Sequence, residues 1–135
     1  MTADGLIACV SKFGPKETMD RLAAAVTSRG ISIMARIDHA AAATAIGMEL
    51  RPTEVLIFAN PRGGTPLMQA VQTVGIDLPL KALVWQDEGG TTWLAYNDPQ
   101  WLAQRHGVGA ELDRTFHAMA DALAAVAGEA TAASA

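Results

Sequence analysis

Cysteine is almost missing from this chain, which carries one, Cys9, among 135 residues. That excludes an intrachain disulfide and any metal centre built from several thiolates. Cys9 sits in the apolar run 6–10 and reads as a small buried hydrophobe. Long hydrophobic runs are missing too: none approaches the roughly 18 apolar residues of a membrane helix. The run at 6–10 is also too short for a signal-peptide core and has no basic leader. A soluble, cytoplasmic bacterial protein with no membrane partner is the expectation, unless an export leader has been removed. Basic charge is scarce, ten Lys and Arg against fourteen Asp and Glu, for a net charge of −4. With no basic cluster to release counterions, the chain is not expected to bind nucleic acid.

What the chain does have is hydrophobic residues, 50% of the total, with few aromatics and many alanines. That composition suits helices packed closely on a sheet. The length fits one domain that buries about two thirds of its unfolded surface. Residues 1–128 read as that domain, and the small, polar residues 129–135 as a disordered tail.

Residues 56–87 organise the rest. Val55, Leu56, Ile57, Phe58 and Ala59 form an unbroken apolar run, the pattern of a central strand covered on both faces. Asn60-Pro61 ends it. Gly63 and Gly64 then read as a loop, and Thr65-Pro66 as the N-cap and first turn of a helix over 66–74. A strand, a glycine loop and a helix N-terminus in succession present free N–H groups to a carboxylate or phosphate, with Arg62 adding charge. No Gly-x-x-x-x-Gly-Lys-Ser/Thr or Gly-x-Gly-x-x-Gly sequence accompanies them, and an ordinary capped turn accounts for the same residues.

In chain order, residues 5–12 read as a strand, Gly14-Pro15 opens a helix carrying Met19, Leu22, Ala23 and Val26, and Gly30 stops it. Ile31, Ile33, Ala35 and Ile37 alternate with Ser32, Met34, Arg36 and Asp38, the period of a half-buried strand. A short helix over 40–46 follows Asp38-His39. If the connector is a parallel crossover, His39 and Asn60 share the carboxyl end of adjacent strands, where open sheets bind ligands. If the strands are antiparallel, the two residues lie at opposite ends. Residues 80–86 and 91–97 form a hairpin in which Trp85 and Trp93 face each other. The last helix carries a stripe, Leu112, Phe116, Met119, Leu123 and Val126, to pack on the sheet or on a second copy.

His39 is the leading candidate for a general acid or base or a ligand donor, with a backbone-bonded histidine as the plain alternative. His106, at a helix end, reads as structural. No histidine spacing suggests a metal site, and no cofactor is implied.

The segments Ile37-Asp38-His39-Ala40-Ala41, Leu50-Arg51-Pro52-Thr53, Phe58-Ala59-Asn60-Pro61, Gly64-Thr65-Pro66-Leu67-Met68 and Gly75-Ile76-Asp77-Leu78-Pro79-Leu80 are shared with a known family. With Trp85 and Tyr96-Asn97-Asp98-Pro99, they make residues 5–107 resemble the family called domain of unknown function 302. The resemblance implies an α+β sandwich grouped with TATA-binding-protein-like folds, here with a mixed sheet of about five strands packed with helices. It also implies a homodimer, and it names no activity. His39, Asn60 and Gly64-Thr65-Pro66 match the family's recurrent motifs. The leading reading is a homodimer holding a small polar or anionic ligand near His39, Asn60, Arg62, Gly63, Gly64 and Thr65. One alternative is an enzyme using His39 as general acid or base, with N–H groups of residues 63–65 as an oxyanion hole. The other is an interaction module built on the helix stripe and the tryptophans.

Overall fold

The computed structural model describes residues 3–132. Strands β1 (Leu6–Val10), β2 (Ser32–Asp38), β3 (Thr53–Ala59), β4 (Leu80–Gln86) and β5 (Thr92–Asn97) form one sheet in the order β1-β5-β4-β3-β2. Every neighbouring pair is antiparallel, so the expected mixed sheet is corrected to an antiparallel one. The residues between β2 and β3 hold helix α2 (His39–Ala45) and an extended return. They bring the chain back beside β2 instead of crossing the sheet.

Helices α1 (Pro15–Ser28) and α5 (Asp113–Thr131) cover one face. Met19, Leu22 and Val26 of α1 pack with Leu123, Val126 and Ala130 of α5 onto Leu56, Phe58, Ala82, Val84 and Leu94. Strand alternation turns Val55 and Ile57 to the opposite face, which α1 and α5 leave open. The β3 run is therefore not helix-covered on both sides, and β4, not β3, is the middle strand. β2 is an edge strand with a register irregularity between Ile33 and Ala35.

Helix α3 (Pro61–Ala70), a tight 3-10 segment (Gln72–Asp77) and helix α4 (Pro99–Arg105) close one end around a second core. Leu67, Val74, Leu102 and Phe116 form its centre. Phe116, Leu123 and Val126 are each 2% exposed, so the α5 stripe packs within its own domain. α5 also continues past residue 128. The Arg21 guanidinium donates to the carbonyls of Glu129 and Ala132, and Ala130 and Thr131 are buried. The expected disordered tail therefore does not start at 129: residues 129–131 are helical, and 133–135 lie outside the described residues.

The hairpin forms as expected. Trp85 sits opposite Trp93, with ring centroids 6.2 Å apart and planes 14° from parallel. The Asp87 carboxylate accepts from the Thr91 N–H at 2.9 Å and the Trp93 indole N–H at 2.8 Å.

Candidate functional site

The helix N-terminus expected at Thr65 begins earlier, at Pro61, with Asn60 as its cap. Asn60 Oδ1 accepts from the Arg62 N–H at 3.2 Å, and Pro61 takes the first helical position, where no N–H is needed. Gly63 and Gly64 are thus inside α3 rather than in a loop, and their N–H groups both donate to the Asn60 carbonyl, at 3.0 and 3.1 Å. The free N–H cradle expected for an anion or an oxyanion does not form at these two residues. Thr65 lies within α3 and caps nothing.

What forms instead is a cleft of about 400 Å³. Asn60, Gly63, Gly64 and Thr65 line it from α3, Leu78 and Leu80 from the approach to β4, and Thr115, Ala118 and Met119 from α5. Its walls are mostly aliphatic. Small residues keep it open: a Cβ at Gly64 would come within 3.3 Å of Leu78 Cδ1, and one at Gly75 within 3.2 Å of Met68 Sδ. Asn60 Nδ2, Thr65 Oγ1 and Thr115 Oγ1 have no protein hydrogen-bond partner among the described residues, which leaves them free for a guest.

His39 and Arg62 are not in this cleft. Ala59, just before Asn60, pairs with Ser32 at the start of β2, whereas Asp38, just before His39, pairs with Glu54 at the start of β3. Antiparallel strands place the two carboxyl ends at opposite edges, about 20 Å apart over such a strand. The combined His39–Asn60 site is therefore split. Arg62 is exposed on α3 outside the cleft. Asp38 caps α2 by accepting from the Ala41 N–H at 2.8 Å, and His39 starts that helix on the side of the open sheet face. Among the described residues its ring has no hydrogen-bonded carboxylate or hydroxyl, so the expected general acid or base has no orienting partner there.

Residues 7–126 match the family described as domain of unknown function DUF302. The chain belongs to this family. It is also similar to proteins of Brucella suis biovar 1 (strain 1330) and Brucella abortus biovar 1 (strain 9-941), each named fluoride-specific ion channel FluC 1. Both are 47% identical over 115 residues, which make up 85% of this chain and 45% and 43% of those proteins. The chain thus spans less than half the length of these relatives. Among solved structures it matches an uncharacterized conserved DUF302 protein from Bacillus stearothermophilus, with a TM-score of 0.83 and 22% identity. That match covers 95% of this chain and 99% of the other, and it shows the same α+β fold.

Two polar clusters of this DUF302 chain were not legible beforehand. His106 Nε2 lies 2.6 Å from Asp77 Oδ2, and its Nδ1 lies 3.0 Å from Thr73 Oγ1. Arg105 donates to both Asp77 oxygens at 2.9 Å. This clasp ties the 3-10 segment to the end of α4, as a structural histidine does, and it lines neither the cleft nor the open sheet face. Nothing in the local pattern announces a pair of residues 29 apart. The second cluster joins α1 to the sheet edge: Arg36 meets Asp20 and Glu54, each at 2.9 Å, while Lys16 meets Asp20 at 2.7 Å. Hydrogen bonds from Lys16 and then Arg36 hold the Asp20 carboxyl below the usual carboxylate range. Among the described residues, no three His, Cys, Asp or Glu side chains converge on a point a metal ion would occupy.

Proposed function

We propose that this DUF302 chain is a small-ligand-binding domain whose site is the cleft between α3 and α5. One observation carries the reading: four of the six residues expected at a ligand site, Asn60, Gly63, Gly64 and Thr65, line one cavity of about 400 Å³. That volume falls in the range of small-molecule pockets, which combine apolar walls with a few placed polar groups. The aliphatic walls favour a ligand with a largely apolar body. Its polar end would meet Asn60 Nδ2 and the two threonine hydroxyls. This replaces the polar or anionic ligand expected from the loop, because the loop N–H groups at Gly63 and Gly64 are occupied within the helix.

A homodimer fits the distribution of exposed apolar side chains. Of nine large ones among the described residues, six, Ile33, Met34, Ile37, Ile46, Met48 and Leu50, fall in β2 or between it and the start of β3. No helix among the described residues is long and apolar enough to cross a membrane.

The test is a thermal-shift screen of small uncharged amphipathic compounds against wild type, Ala118→Trp, which fills the cleft from the exposed side of α5, and His39→Ala. A ligand at 100 times its Kd adds about 2.7 kcal/mol of stability. The expected result is a compound that raises the melting temperature of wild type and His39→Ala but not of Ala118→Trp. Equal stabilisation of Ala118→Trp would remove the cleft as the site.

A further inference from the structure

We propose that the open face of the sheet carries a second site of different chemistry, a groove that takes a small carboxylate with a short apolar body, its charge on Lys81. The groove encloses about 370 Å³ over a floor of Val55, Ile57, Leu83 and Ala95; its polar lining is His39, Lys81 and Asn97, with Tyr96 also at its wall but packed in the core on the other face. These three arrive from separate elements: the first residue of α2, the outward side of β4 and the last residue of β5.

Among the described residues none of the three has a protein partner, and they share one groove over an aliphatic floor. Among the described residues no carboxylate lies within 4.0 Å of the Lys81 ammonium, although Lys16, Arg29, Arg36 and Arg105 all have one. Neither the His39 ring nor the Asn97 amide makes a side-chain hydrogen bond among the described residues, whereas both ring nitrogens of the structural His106 are bonded. Lys81 is half-buried and stands directly opposite Ile57, with Val55 and Leu83 beside it. A cation so placed loses hydration without gaining a counter-charge. A bound carboxylate supplies that charge, and the Asn97 amide on the adjacent strand offers a donor to its second oxygen, with His39 on the groove's far wall. The aliphatic floor favours an anion with an apolar tail over a bare inorganic one, since burying the tail adds a hydrophobic contribution. This site does not rest on the α3–α5 cleft, and the two are separable by mutation.

Titration calorimetry with octanoate, and with octanol as the uncharged control, tests the proposal. Wild type and Ala118→Trp are expected to bind octanoate saturably and alike, with octanol at least ten-fold weaker. Lys81→Met is expected to weaken octanoate at least ten-fold, and amide shifts in wild type are expected to map to Ile57, Leu83 and Asn97. Lys81→Gln is the second variant should the methionine form fold poorly. No saturable binding to wild type, or equal affinity for octanol, would overturn the proposal. So would equal affinity in both Lys81 variants, or a change in oligomeric state in place of a change in binding.

Discussion

Asn60 stands where β3 gives way to α3, and the two ends of its side-chain amide do different things. Oδ1 holds the Arg62 N–H, while Nδ2 has no protein hydrogen-bond partner among the described residues and belongs to a residue that lines the cleft. Asn60→Ala removes both, and loss of the cap is expected to cost about 1 kcal/mol. Asn60→Asp keeps an acceptor at the cap and places a negative charge at the positive end of the helix. It should fold as well as wild type in urea titration and still lose the stabilising compound in the thermal-shift screen. Equal ligand response in Asn60→Asp and wild type would show that Nδ2 takes no part. The sequence marked Asn60 as a site candidate and not as the cap, because Asn60-Pro61 and Thr65-Pro66 satisfy the same local rule. Asn60-Pro61 opens the helix, with Gly64 closed against Leu78.

At the scale of elements, the β4–β5 hairpin is held by contacts within a dozen residues. Asp87 accepts from the Trp93 indole and the Thr91 backbone, and these bonds, the indole first, hold its carboxyl below the ordinary value. A depressed carboxyl contributes stability that is complete above its unfolded pKa and lost as pH falls through the folded one. Asp87→Asn is therefore expected to be less stable than wild type at neutral pH, with the gap closing as pH drops below about 4. Melting temperatures across that range, read by tryptophan fluorescence, check it. A gap that stays constant to low pH would mean that the charge on Asp87 contributes nothing. This hairpin was legible in full, down to the facing tryptophans, because turn residues and strand periods are local. The His106–Asp77 clasp was not, because its partners meet only after α4 has docked on the 3-10 segment.

For the whole molecule, the decisive feature is a sheet covered on one face only. α1 and α5 bury their apolar stripes against it, so α5 has no free stripe for a second copy. Most of the exposed apolar residues left for an interface lie around β2 and the return to β3. Ile46→Lys with Met48→Glu is expected to convert a dimer to a monomer in light scattering at unchanged helix content. Both side chains are exposed, at 73% and 62%, so folding should be affected little. A wild type that is already monomeric at high concentration would remove the dimer reading.

Strand boundaries, helix stripes, the hairpin, and membership of an α+β family followed from the order of residues, because a period of two or of three to four is written within each element. The direction in which β3 runs beside β2 did not follow. Periodicity is the same for either direction, and a connector of this length permits both a crossover and a return. The tertiary packing chose the return, and with it sent His39 to the open face and Asn60 to the cleft. Residues expected to share one site were placed in two separate cavities, because strand ends are positioned only when the sheet closes.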